Sequence, residues 1–322
     1  MPIGIFCGLL TCALWGLTFV APRAVEPFSA WDLTVARYGT FGAASLLLML
    51  HPRFRPRGLS RRQWAVGLLL GGAGYVGYFV AAASAVRFAG AAIPPLVIGT
   101  MPVVLAIIAN RRERTVPWRP LVPPLALIAG GVAVVNASAL VSVGPDGGEA
   151  IALGLVSAVA ALAIWVTYGL ANAAVMRTAS APDGLHWTGV QGIGAAIGSI
   201  ALLPLTSLAS PHPAGLPDIV PFAVWALVMG LAGSWLATAC WALASARLPL
   251  ALAAQLIVAE TVFGLAYGFL FEARWPVAAE WLGAALQLVG VTVAIRLFGR
   301  QRPPAVRLAA AGDGTAASPV VS

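Results

Sequence analysis

Long apolar runs separated by short polar breaks dominate the chain. Ten runs stand out, at about residues 3–21, 31–50, 64–83, 90–109, 120–140, 151–172, 187–208, 219–240, 249–271 and 278–298. An α-helix rises about 1.5 Å per residue, so each run is long enough to cross a hydrocarbon core roughly 30 Å thick. The apolar positions are continuous, whereas the strands of a membrane barrel alternate. The pattern predicts an all-α integral membrane protein with ten transmembrane helices.

The stretch Val143–Ala150 (VGPDGGEA) is the clearest break and falls near the middle. It makes residues 1–142 one five-helix unit, 143–150 a linker and 151–298 a second unit. Residues 299–322 are polar, without periodicity, and are expected to form a disordered cytoplasmic tail. The halves echo each other: Gly8-Leu9-Leu10-Thr11 opens the first as Gly154-Leu155-Val156-Ser157 opens the second. Arg87, an Ala-rich run, Pro102 and Glu113 recur as Arg247, an Ala-rich run, Thr261 and Glu272. An odd number of spans per half turns the second unit upside down. The expected architecture is therefore two five-helix inverted repeats, the arrangement of secondary transporters.

Composition agrees with the pattern. Hydrophobic residues make up 60% of the chain and charged residues 9%, against about 25% charged in a soluble domain. All 19 basic residues are Arg. They cluster at Arg53–Arg62, Arg111–Arg119 and Arg296–Arg307, with Arg177 and Arg247 at two further connections. The alternate loops carry Glu26, Asp32, Asp146, Glu149, Asp218 and Glu280. By the positive-inside rule both termini are cytoplasmic, in a multi-pass protein of the cell (plasma or inner) membrane. The Arg excess is thus a topology signal and no nucleic-acid partner is expected. Cys7, Cys12 and Cys240 lie in apolar runs without metal spacing and read as small packing residues.

At this point the chain resembles the EamA-type members of the drug/metabolite transporter superfamily, over about residues 3–298. Trp15-Gly16 followed by Phe19 is similar to the first-helix signature of that family, and Arg37 in LTVARYGTFGAASLLL to its second-helix Arg. AVRFAGAAIPPLVIGTMPVVLAIIANRRE is similar to the fourth helix, and ASARLPLALAAQLIVAETVFGLAYGFLFE repeats it in the second half. Where the family often has Glu-Pro, this chain has Glu260-Thr261, so the Glu matches and the kink of a Pro is not implied. The resemblance implies a ten-helix inverted-repeat carrier of small metabolites, often an exporter. It leaves open amino acids, sugars, nucleotides and drugs.

Six residues are candidates for binding or coupling: Glu260, Arg37, Trp15, Tyr78, Trp165 and Tyr267. Glu260 sits near the middle of the ninth run, where a charge costs roughly 2.5–3.5 kcal/mol on insertion scales. Something must hold it there, and a carboxyl that alternates between dry and wet settings can exchange a proton. The plainer reading is a protonated Glu that only fixes packing. Arg37 has the geometry to take a substrate carboxylate or phosphate; its plainer reading is snorkelling to the outer surface, paired with Asp32 or Glu26. Trp15, Tyr78 and Trp165, like Tyr75 and Tyr168, lie inside runs and can wall a pocket, or merely pack. Tyr267, two turns after Glu260, can cap it or line the same cavity.

Other residues read as scaffold. Trp31, Trp64, Trp118, Trp187, Trp275 and Trp281 lie near run ends, as interfacial anchors do. Asn136, Asn172, Gln191 and Gln287 are interhelical glue. Glycines crowd the third and seventh runs and allow close approach, while Pro94, Pro95 and Pro102 are expected to break the fourth.

Two pattern matches carry nothing. Gly72–Gly77 satisfies G-x-G-x-x-G inside an apolar run with no preceding strand, and Asn136-Ala137-Ser138 is a glycosylation sequon at membrane depth. No cofactor and no metal is expected. The leading function is a secondary transporter, in export, moving a small metabolite such as an amino acid by alternating access with proton or exchange coupling. An intramembrane enzyme is the alternative, but His51, His186 and His212 all fall in loops or at run ends; a channel is a third. The partners expected are a small-molecule substrate and the lipid bilayer, with proton coupling and a homodimer left open.

Overall fold

A computed structural model describes residues 2–101, 103–104, 107–108, 111, 117–143, 148–176, 178, 180–207, 216–247 and 250–299. The tail, residues 144–147 of the linker, Pro102 and Glu113 lie outside the described residues, as does the side chain of Asn136. All the regular structure among the described residues is helical. In chain order the main helices are α1 (Pro2–Gly16), α2 (Ala30–Leu48), α3 (Arg61–Ala89), α4 (Ile93–Ile98), α5 (Val122–Val143), α6 (Gly148–Met176), α7 (Gly184–Ile200), α8 (residues 216–247), α9 (Leu250–Phe271) and α10 (Ala278–Gly299). Among the described residues, Pro2–Phe19, Arg61–Ala89, Gly148–Met176 and Asp218–Ala244 are by themselves long and apolar enough to cross a membrane.

The ends of the helices follow local chemistry. Ser29 and Asp32 form a reciprocal capping box at the start of α2, Ser60 and Gln63 form one at α3, and Asp183 caps α7. Helix α6 starts at Gly148, inside the expected linker, with Glu149 in the first turn where an acid suits the helix dipole. Pro94 and Pro95 open α4 instead of breaking it; the first turn needs no intrahelical N–H donors, so proline is tolerated there. Helix α9 runs unbroken through Thr261.

Two helices change pitch midway. Leu70–Tyr75 in α3 and Val228–Leu236 in α8 are π-helical. Each contains a Gly pair three apart, Gly71 and Gly74 in one and Gly230 and Gly233 in the other. Such turns are rare and often mark functional sites.

Packing is built from a few crossings. Helix α5 lies along α10, α3 lies against α6 and α7, and α2 lies against α7 and α8. Helix α1 contacts α8 and α9, and α4 contacts α6 and α9. The glycines of the third and seventh runs meet at one crossing. A Cβ on Gly71 would overlap the Gln191 carbonyl, one on Gly194 would overlap the Leu68 carbonyl, and Gly72 faces Gly198. Large buried side chains, among them Phe19, Leu33, Phe41 and Phe79, fill the space between α1, α2 and α3.

One end of the bundle is tied by ions. Arg23, after α1, meets Glu272 at 2.7 Å; Arg274 meets Glu272 at 2.6 Å and both oxygens of Glu280 at 2.7 Å. Glu280, with Glu272 helping and partial burial opposing, holds the Arg274 guanidinium above its ordinary pKa. These contacts join the end of α1, the end of α9 and the start of α10 beside a surface cavity.

Candidate functional site

Six helices meet at one small cavity. Helix α1 supplies Trp15, the short turn after it Thr18, and α2 supplies Arg37 and Tyr38. Helix α3 adds Tyr75, the last residue of its π-turn, and Tyr78 one turn later. Trp165 comes from α6, Gly233, Ser234 and Thr238 from α8, and Glu260 from α9. Five of the six candidates read from the sequence therefore line one cavity. Tyr267 does not: its ring lies beside Phe263 at 5.9 Å and lines neither this cavity nor its neighbour. Seven residues along a helix is about 10 Å of rise, enough to carry it past the cavity.

Arg37 is 4% exposed and does not snorkel. Asp32, its expected partner, is occupied by Ser29 and by Ser207, whose amide and hydroxyl donate at 2.7 and 3.0 Å. Arg37 instead donates from Nε to Ser234 Oγ at 2.9 Å and, more weakly, to the Gly233 carbonyl at 3.3 Å and Thr18 Oγ1 at 3.4 Å. The guanidinium lies 4.3 Å from the centre of the Phe79 ring, a cation–π contact. A guanidinium has five N–H donors. Among the described residues three are used, which leaves one on each terminal nitrogen.

Glu260 lines the same cavity and also a second, smaller one. Glu260 and Trp165 belong to both walls. The second chamber is otherwise lined by Phe19, Ile98, Gly99, Met101, Ile257 and Thr261. Among the described residues, neither Arg37 nor Glu260 makes an ion pair. Facing Glu260 across the first cavity are Arg37, Tyr38, Tyr75 and Tyr78, and Cys12 of α1 lies beside it.

The aromatic rings are committed to each other. Trp165 stacks on Tyr78 at 4.7 Å and on Tyr168 at 4.6 Å, and Trp15 meets it edge-on at 6.0 Å. Behind the stack runs a polar chain. Tyr38 donates to the Tyr75 carbonyl, the hydroxyls of Tyr75 and Tyr168 lie 2.9 Å apart, and Tyr168 donates to Gln191 at 2.6 Å. Gln191 and Trp187 both donate to Asn172. Trp187 is thus a buried link between α6 and α7, not an interfacial anchor; its N–H finds a side-chain acceptor inside the protein.

Sequence reasoning missed Tyr38, Thr18 and Ser234. Tyr38 follows Arg37 and points about 100° away on an ideal helix, so adjacency gives no reason to group them. Ser234 reaches Arg37 because it sits in a π-turn, for which the sequence carries only the weak signal of paired glycines.

A model of the EamA-like transporter family matches residues 2–137. The inner membrane protein YtfF of Escherichia coli (strain K12) is 32% identical over 305 residues, which cover 91% of this chain and 95% of that one. One crystal structure has the same fold at a TM-score of 0.61 and 19% identity, covering 92% of this chain and 99% of its own.

Proposed function

Since the chain belongs to the EamA-like transporter family, we propose that it is a secondary transporter whose substrate passes through the cavity between Arg37 and Glu260. The observation that carries this is a pair of opposite charges, unpaired with each other, on two walls of one aromatic-lined chamber. Ionisable groups inside a membrane protein are costly and tend to mark substrate and ion paths. The chain is a multi-pass membrane protein, and we place it in the plasma (inner) membrane with both termini cytoplasmic.

The finer architecture is two inverted five-helix repeats, α1–α5 and α6–α10. The packing supports it. Exchanging the halves turns the α1–α8 contact into α6–α3, α1–α9 into α6–α4 and α2–α8 into α7–α3, while α2–α7 and α5–α10 map onto themselves. All of these contacts occur. The exchange also superimposes the two π-turns, one in α3 and one in α8. Sites at the interface of such repeats are exposed alternately to either side.

Transport of a small metabolite, outward, with Glu260 exchanging a proton as the chamber opens and closes, is the reading the site supports best. The test is counterflow in liposomes holding the purified protein, with a panel of amino acids, sugars and nucleotides. Saturable exchange that fails in Arg37→Gln is expected. Flux that grows linearly with concentration would indicate a channel and sink the carrier reading.

A further inference from the structure

Resting on the transport reading of the central cavity, we infer that its outer exit runs between α4 and α9 and is closed by a latch, in which Arg23 of the first repeat grips Glu272 of the second. Phe19, seated on Gly264, is the plug beneath that latch.

Two cavities mark the route. With the termini cytoplasmic, the end of α9 and the start of α4 face outward. The second chamber is lined at depth by Ile98 at the end of α4 and by Ile257, Glu260 and Thr261 of α9. The surface cavity is lined by residues 89–93, which lead into α4, and by Glu272 just past α9. The same two helices therefore border both. Ile93 in one and Ile98 in the other are five residues apart, about 7.5 Å of rise.

Small residues fill the gap. A Cβ on Gly264 would overlap the Phe19 ring, which is itself buried. One turn farther out, a Cβ on Gly268 would lie 2.9 Å from that of Ala91. Gly16 brings α1 against the same stretch, where a Cβ would lie 3.0 Å from the Gly264 amide nitrogen. Helices that meet on glycine and alanine approach closely and have few interlocked side chains to disengage when they slide.

The ion cluster divides by repeat. Glu272, Arg274 and Glu280 belong to the second repeat, and among the described residues Arg23 is the one member from the first. Arg23 makes a single contact, Nη1 to Glu272 Oε1, and its side chain is partly exposed. Glu272 holds Arg274 on its other oxygen. When Arg23 lets go, its charge passes to water and Glu272 keeps a partner. Stranding a charge without a partner is what makes breaking a buried pair costly, and here none is stranded. The contact across the repeats is thus the arm that opens, while the contacts within the second repeat keep Glu272 in place for closure. Glu272 Oε1 also lies beside Gly90, whose φ of 75° turns α3 into α4, so the carboxylate stands at the mouth between α4 and α9.

The experiment follows a cysteine in the second chamber, Thr261→Cys, in the full chain with Cys7, Cys12 and Cys240 changed to alanine. The probe is a membrane-impermeant sulfonated methanethiosulfonate, applied to right-side-out and to inside-out membrane vesicles. Arg23→Gln should raise the labelling rate from the outer side at least fivefold and lower it from the inner side. Arg23→Glu, which sets two carboxylates against each other, should do so more strongly, and Arg23→Lys should stay near the parent. Outer labelling within twofold of the parent in both the Gln and Glu variants overturns the latch. Faster labelling from both sides means a loosened fold and overturns it too. If a cysteine at Thr238, in the first cavity, gains outer access while one at Thr261 does not, the exit does not run between α4 and α9. Labelling needs no substrate. Unchanged labelling in a protein that shows counterflow therefore overturns the latch alone, whereas absence of counterflow with every compound of the panel overturns the transport reading and the latch's part in it.

Discussion

Arg37 Nε and Ser234 Oγ lie 2.9 Å apart, and Ser234 in turn donates to the Met229 carbonyl, also at 2.9 Å. The buried cation of α2 is therefore held by the π-turn of α8 and not by a counter-ion. Ser234→Ala removes the acceptor without changing charge. Hydrogen bonds to charged groups are worth about 1.5–3 kcal/mol, so the Ala variant should raise the apparent KM for exchange at least tenfold with the protein still folded. A KM within twofold of wild type would mean that Arg37 is positioned by the rings around it.

Glu260 gives the pH test. If it exchanges the coupling proton, wild-type flux depends on pH, and Glu260→Gln, which cannot ionise, shows a flat profile. Glu260→Asp keeps a carboxyl and should restore the dependence at a lower rate. A Gln variant that follows the wild-type profile would falsify the coupling role and leave Glu260 as a binding or packing group.

The ion cluster at the end of α1, α9 and α10 is unequal in its parts. Glu280 is mostly buried and accepts from both terminal nitrogens of Arg274 and from the Val277 amide. Arg23 is 38% exposed at its side chain and makes one contact. Exposed pairs contribute roughly 0–1 kcal/mol. Thermal unfolding in detergent should therefore fall clearly for Glu280→Gln and shift little for Arg23→Gln. The reverse order would mean that the link to α1 carries the stability of this end.

Glycine positions supply an internally controlled pair. Gly71→Ala places a methyl group against the Gln191 carbonyl, a backbone atom that cannot swing aside. Overpacking of this kind costs about 1–3 kcal/mol. Gly39 lies in α2 with open space around it, and Gly→Ala inside a helix stabilises by roughly 0.5–1 kcal/mol. Thermal unfolding of the two variants should move in opposite directions. Equal destabilisation would argue against the close α3–α7 crossing.

Much of the site can be read in the sequence because its members are conspicuous there. A carboxylate inside an apolar run, a guanidinium that no nearby acid requires, and rings away from run ends each violate a rule that the surrounding residues obey. Trp15, Arg37, Tyr78, Trp165 and Glu260 are such residues, and they line one cavity. Tyr267 is not of that kind; helical spacing groups it with Glu260, but spacing measures angle and ignores distance along the axis. Trp187 resembles an anchor by position alone, and only the proximity of Asn172 gives its N–H an inward partner. Pro94 and Pro95 read as breakers because a helix start cannot be located inside a continuous apolar run. The helices themselves follow from the long runs, but the pitch changes at Leu70–Tyr75 and Val228–Leu236 depend on tertiary packing that no local pattern encodes.

The π-turns also bear on what this gene tolerates. A π-turn takes more residues per turn than an α-helix, as an added residue in an otherwise regular helix would. Deleting one residue within 228–236 would let that segment relax to ordinary pitch with both flanks still facing their partners, at the expense of the Ser234 hold on Arg37. The same deletion in α9, which is regular throughout, would swing every later side chain by about 100°. Single-codon deletions should thus survive as folded but impaired proteins at two places in the chain, the π-turns of α3 and α8.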